Sequence, residues 1–218
     1  MCVLVGGSLP FVLDSPVENA YPPAVARPKE FDREEALRRA IPIFWEKGFA
    51  GTSTDDLVGA MGIGRQSLYD TYGDKRRLFL AALRTYNTDG ITALSRKLRA
   101  GPTALAAIER ILVDLAEVRE KARSLGCMGV NAICEMARVD DEVRALTQTS
   151  AALLEATLTD AIEDGKAKGD VSPTVDSRAA ARFIAATLSG MKVQAKGGAS
   201  TAVLRDVAAF AVDSLRPR

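Results

Sequence analysis

The sequence predicts an all-α protein. Apolar residues recur at three- and four-residue spacing from residue 29 onward, and Ala, Leu, Arg and Glu dominate that stretch. No segment alternates apolar with polar residues between hairpin turns. Breaks at Gly48, Gly62, Gly73, Gly101-Pro102, Gly126, Val139 to Asp141, Gly169 to Pro173 and Gly197-Gly198 divide the chain into about nine helices with short links.

Residues 1–28 precede the periodic region. They contain Pro10, Pro16, Pro22, Pro23 and Pro28 and read as a flexible tail. Met1 to Leu13 is apolar but lacks the basic start of a secretory signal. The first helix starts at Asp32, which forms a capping-box-like pair with Glu35, and buries Ala36, Leu37, Ala40, Ile41, Phe44 and Trp45. Pro42 removes one backbone donor inside it, and Gly48 ends it. The second helix follows the cap-forming cluster Thr52, Ser53 and Thr54, carries Asp55 and Asp56 where the helix dipole favours anions, and ends at Met61-Gly62. The third runs from Arg65 to Tyr72. Asp74 caps a fourth, which turns Leu78, Phe79, Ala82, Leu83 and Tyr86 inward and ends near Leu98. Five more helices are expected over about 103–124, 126–139, 141–168, 174–196 and 200–215.

Composition restricts the chemistry. The 218 residues are 47% apolar and 26% charged, ordinary values for a globular protein. Lys and Arg total 29 against 28 Asp and Glu, a net charge of +1, so any nucleic-acid contact is local. With no histidine there is no Ser-His-Asp triad, no His-ligated metal and no Glu-x-x-His di-metal bundle. Cys2, Cys127 and Cys134 are too few for a four-thiolate zinc site, and their low, odd number fits a reducing cytoplasm. No apolar run is long enough to span a membrane. The expectation is a cytoplasmic non-enzyme without metal or cofactor.

Thr52 to Phe79, TSTDDLVGAMGIGRQSLYDTYGDKRRLF, is the most informative stretch. Two short helices flank a glycine-containing turn, the helix-turn-helix pattern whose second helix enters the major groove of DNA. Leu57, Met61, Ile63 and Leu68 are spaced to hold the helices at a fixed angle. Thr54 and the start of the second helix would aim donors at a phosphate. Arg65, Gln66, Ser67, Tyr69 and Tyr72 form a polar and aromatic set with no evident packing role.

The Met-Gly-Ile turn followed by Leu68-Tyr69, Tyr72, Gly73, Lys75 and Leu78-Phe79 resembles the N-terminal domain of TetR/AcrR transcriptional regulators over about residues 29–84. The segment Phe44 to Leu57 resembles the end of that family's first helix. The resemblance implies a DNA-binding head over residues 29–76 and a ligand-sensing, dimerising domain over 77–218. It implies that Arg65, Gln66, Ser67 and Tyr69 face double-stranded operator DNA and that Lys75 contacts a phosphate. Such side chains suit base-edge reading. Two departures stand out: Gly64 replaces the usual capping Ser or Asn, and Asp70 puts an acid on the recognition helix. Residues 65–77 hold four basic side chains (Arg65, Lys75, Arg76, Arg77) and two acidic ones (Asp70, Asp74), a small local excess. That leaves open a helical adaptor of the same fold without DNA affinity.

The family architecture further implies a homodimer through the last two helices and an unidentified small-molecule effector. Ala180, Phe183, Ile184, Thr187, Leu188 and Met191 form one apolar stripe, and Val203, Leu204, Val207, Phe210, Ala211 and Leu215 a second. Leu125 to Asn131 resembles the start of the sixth helix in a branch whose members sense oxidants or electrophiles through cysteine. Cys127 is therefore a redox-sensing candidate, at a helix start after Lys121 and Arg123, an electropositive setting of the kind reactive thiols occupy. The rival expectation makes both Cys127 and Cys134 small buried hydrophobes. On one helix their Cα atoms lie about 10 Å apart along the axis, beyond disulfide reach.

Overall fold

The computed structural model describes residues 31–118 and 123–217. The expected tail, residues 1–28, lies outside them. The described residues form nine helices and no strand: α1 (Arg33–Lys47), α2 (Thr54–Met61), α3 (Arg65–Tyr72), α4 (Lys75–Ala100), α5 (Ala104–Ala116), α6 (Met128–Met136), α7 (Asp141–Lys168), α8 (Ser177–Lys196) and α9 (Thr201–Asp213). None is long and apolar enough to cross a membrane.

Helix starts follow side-chain capping. Asp32, Ser53, Asp74, Thr103, Asp140, Asp176 and Ser200 each accept backbone N–H bonds at the start of α1, α2, α4, α5, α7, α8 and α9. Each such cap satisfies a donor that the helix itself cannot. The expected Asp32/Glu35 box is half made. Asp32 accepts from Glu34 and Glu35, while the Glu35 carboxylate pairs with Arg39 at 3.0 Å. The complete box lies at α2, where Ser53 and Asp56 cap each other's backbone N–H. Helix α8 starts three residues later than expected because Asp176, not the residue after Pro173, makes the cap. The helix expected over 103–124 stops at Ala116, with Glu117 as its cap, and the one expected over 126–139 spans only Met128–Met136.

The apolar side chains form two clusters. One joins Phe44 and Ala40 of α1, Leu57 and Met61 of α2, Leu68 of α3 and Leu78, Phe79 and Leu83 of α4. Met128, Ala132 and Met136 of α6 and Val143 of α7 complete it. The Phe44 and Phe79 rings meet edge to face at 5.1 Å between centroids. The second cluster fills the larger bundle with Leu98, Ile108, Leu112, Leu158, Ile162, Ile184, Met191, Leu204 and Val212. Helix α4 therefore contributes to both clusters, its first half to one and Leu98 to the other. At Gly165 of α7, a Cβ would lie 2.6 Å from Val171 Cγ2 and 2.8 Å from Ala104 Cβ, so only glycine permits α5 to approach so closely.

Phe44 is 1% exposed and touches the elements that set the α2–α3 angle. Phe44→Ala is expected to cost about 3–5 kcal/mol. Chemical denaturation followed by circular dichroism checks this; a loss below about 1 kcal/mol would show that the cluster collapses around the void.

Candidate nucleic-acid interface

Helices α2 and α3 are held at a fixed angle by Leu57, Met61, Ile63 and Leu68, all buried. Between them Gly62 takes the left-handed conformation (φ 68°) and its N–H donates to the Val58 carbonyl, which lets the chain reverse in a short turn. Gly64 starts α3 without a side-chain cap. The Asp56 carboxyl that closes the α2 cap is held well below the usual carboxylate range, chiefly by the Lys47 ammonium and then by Ser53.

With Leu68 turned inward, Arg65, Gln66, Tyr69 and Asp70 are exposed on the other side of α3. Ser67 lies half-buried beside them. Thr54, in the first turn of α2, places its hydroxyl 3.4 Å from the Tyr69 hydroxyl, so the start of α2 and the outer side of α3 form one surface. Two of these side chains already have acidic partners. Arg65 donates to Asp55 at 2.6 Å, and the Gln66 amide donates to Asp70 at 2.8 Å. These bonds are solvent-exposed and give way readily to a stronger acceptor.

Tyr72 and Lys75 are engaged elsewhere. The Tyr72 hydroxyl donates to the Arg33 carbonyl at 2.7 Å, and burial raises its pKa above the ordinary tyrosine value. Lys75 Nζ donates to the carbonyls of Phe49 and Thr52, each at 2.9 Å, and lies 4.4 Å from the centre of the Phe49 ring. Arg76 also turns inward. It donates to both oxygens of Asp140 at 2.6 and 2.8 Å and to Glu142 at 3.0 Å. The small basic excess counted over 65–77 is thus further reduced at the outer surface, where Arg65 and Arg77 remain.

A cavity of about 560 Å³ lies in the larger bundle, lined from α4, α5, α6, α7 and α8 by groups that include Tyr86, Ile111, Ile133, Leu154 and Leu188. Cys127, the residue that starts α6, opens onto it. Its Sγ lies 3.9 Å from both the Tyr86 hydroxyl and Lys192 Nζ. Burial above all, and then Cys127, pushes the Tyr86 phenol above its usual pKa and keeps it protonated. The cation beside the thiol therefore comes from α8. Arg123 instead donates to the Ala199 carbonyl at 2.6 Å, and Lys121 lies outside the described residues. Both Cys127 and Cys134 are free thiols. Contrary to the expectation of burial, Cys134 is exposed: it occupies the outer side of α6, whereas Ala132 and Met136 face the core. Lys192 escaped the sequence reading because it lies 65 residues from Cys127 and no local pattern marks it.

Two family descriptions match the chain. "Bacterial regulatory proteins, tetR family" covers residues 36–82, and "Tetracyclin repressor-like, C-terminal domain" covers residues 101–210. The HTH-type transcriptional regulator YezE of Bacillus subtilis is 35% identical over 162 residues, which span 73% of this chain and 84% of that protein. The HTH-type transcriptional repressor ComR of Escherichia coli is 29% identical over 187 residues, 84% of this chain and 88% of that protein. Among solved structures, a cysteine mutant of the TetR family regulator CifR bound to 26-bp double-strand operator DNA superposes with a TM-score of 0.73 at 28% identity, covering 87% of this chain and 99% of that one. The reduced form of E. coli NemR, at 19% identity and a TM-score of 0.76 over 85% of this chain and 97% of that one, shares the fold. The chain belongs to the tetR family of bacterial regulatory proteins and is a DNA-binding transcriptional regulator rather than an enzyme.

Proposed function

We propose that this regulator is a cytoplasmic, homodimeric repressor released from its operator by a ligand or electrophile that enters the cavity beside Cys127. Residues 29–76 read DNA; residues 77–218 sense and dimerise. The observation that carries the reading is the outer surface of α3, where Arg65, Gln66 and Tyr69 are exposed next to Thr54 while Leu68 anchors the helix from below. Arg and Gln present the donor geometry that reads guanine and adenine edges, and Tyr offers a ring to a thymine methyl or a hydroxyl to phosphate. On DNA, Arg65 and Gln66 exchange Asp55 and Asp70 for base edges or phosphates. Ser67 lies at the edge of this surface. Tyr72 and Lys75 act from behind it, by fastening α3 and the turn before α2.

Dimerisation uses α8 and α9. Ala180, Ile184, Leu188 and Met191 are consumed inside the subunit, whereas Phe183, Val203 and Phe210 stay exposed, Phe210 at 74%. Large apolar side chains left in solvent on two adjacent helices support a self-complementary seam. Two copies of α3 then stand about one helical turn of DNA, roughly 34 Å, apart. Ligand and operator each favour a different spacing and so oppose each other's binding. In the cavity, Lys192 and the Tyr86 hydroxyl can donate to the oxygen of a carbonyl-bearing effector while Cys127 supplies the nucleophile.

Fluorescence anisotropy on DNA from upstream of the coding sequence is expected to show binding that weakens steeply with salt. Arg65→Ala combined with Tyr69→Ala should weaken it at least about tenfold through loss of base-edge contacts. Salt-independent or absent binding, also after selection from random duplexes, would favour the adaptor alternative. Phe210→Asp is expected to give a monomer by sedimentation and to lose operator affinity with the fold retained; a persistent dimer would place the seam elsewhere. With Cys2 and Cys134 replaced by Ser, N-ethylmaleimide should release the operator from the protein carrying Cys127 but not from Cys127→Ser. Equal release from both would remove the thiol from the signal.

A further inference from the structure

The turn between α1 and α2, Gly48 to Ser53, decides how the DNA-reading helices leave α1, and four of its backbone groups are held by side chains of two distant helices. On its carbonyl side, Lys75 of α4 takes Phe49 and Thr52, as described above. On its N–H side, Gly48, Thr52 and Ser53 bond locally to Phe44, Phe49 and Asp56, whereas Phe49 and Ala50 both donate to one residue outside the head. The Glu135 carboxylate, in the last turn of α6, accepts from Phe49 N at 3.0 Å and from Ala50 N at 2.7 Å. The approach depends on Gly48, which adopts φ 71°; a Cβ there would lie 2.8 Å from Glu135 Oε2. Among the described residues no other acceptor takes these two N–H groups. The turn ends at Ser53, the cap of α2, and α2 carries α3 through Leu57, Met61 and Leu68.

We propose that Glu135 is a positioning residue for DNA reading: by holding the Phe49 and Ala50 N–H groups it sets the direction of α2 and hence of α3, although it lies in the sensing half of the chain. Glu135 is solvent-exposed, so water can replace it at both N–H groups, and its loss frees the turn without unfolding the head. Charge-assisted bonds from one carboxylate to two adjacent N–H groups fix a geometry that hydration does not. A freed turn populates other directions of α2, and DNA affinity falls by the fraction of molecules that keep the competent one. The inference rests on the DNA-reading role assigned to α3.

Electrostatics alone predicts the opposite sign, which makes the test sharp. Removing an acid from a DNA-binding protein tightens non-specific binding, and Glu135→Gln and Glu135→Ala remove the same charge. Positioning predicts instead that operator affinity falls in the order wild type, Glu135→Gln, Glu135→Ala. The alanine variant should lose at least about fivefold at every salt concentration, with an unchanged salt slope because no phosphate contact is lost. Hydrogen exchange on the DNA-free protein should be at least about tenfold faster at Phe49 and Ala50 in Glu135→Ala, with the buried amides of α8 as slow as in wild type. Tighter or equal DNA binding in both variants overturns the proposal, as does unchanged exchange at Phe49 and Ala50. If the wild type itself binds no duplex, the DNA-reading role of α3 fails and the proposal falls with it. The exchange measurement then separates that failure from the case in which Glu135 never held the turn.

Discussion

The DNA-reading head depends on how the first turn of α4 is fastened. Lys75 and Arg76 are neighbours in sequence and leave α4 in different directions. Lys75 holds the carbonyls of the α1–α2 turn, and Arg76 makes a two-pronged bond to Asp140, the residue that also caps α7. Asp140 is buried, and its carboxyl is held below the usual carboxylate range, first by the Arg76 guanidinium. A buried acid that serves at once as helix cap and ion-pair partner tolerates little displacement, because moving it leaves donors unpaired. The head and the start of α7 are thereby tied to a common point on α4.

Helix α6 reinforces that arrangement from the other side. Met128, Ala132 and Met136 enter the core of the head, Glu135 grips the α1–α2 turn, and Cys127 at its start opens onto the cavity. A nine-residue helix is too short to bend appreciably. In the proposed mechanism a displacement at the cavity end would reach the turn. In the proposed mechanism this short helix gives ligand and DNA a shared element to compete for, which is what coupling between two sites requires.

The reading surface is electrically restrained. Asp55 and Asp70 occupy Arg65 and Gln66, and the cations nearest α3 in sequence, Lys75 and Arg76, are spent on internal acceptors. A net charge of +1 gives no long-range help. In the proposed dimer such a head would bind arbitrary DNA weakly and rely on base-edge contacts from two copies of α3, so that selectivity would come from rejecting poor sites as well as from holding good ones.

Much of this was legible in the amino-acid order because it is local. The helical period, the glycine breaks, the caps at Asp32 and Asp74, and the inward set Leu57, Met61, Ile63 and Leu68 all depend on residues near each other in the chain. The exposed side chains of α3 follow from the same period once Leu68 is known to point inward. What the sequence did not disclose is long-range. Lys75, expected at a phosphate from the resemblance, bonds to Phe49 and Thr52, whose carbonyls the α1–α2 turn presents within its reach. Lys192 beside Cys127, Glu135 beneath the head and Arg76 on Asp140 are each brought together across more than sixty residues. Local periodicity sets which side of a helix is apolar; which charged group from a distant helix satisfies a given donor or acceptor is settled only when the helices pack, because that pairing depends on their relative position in three dimensions.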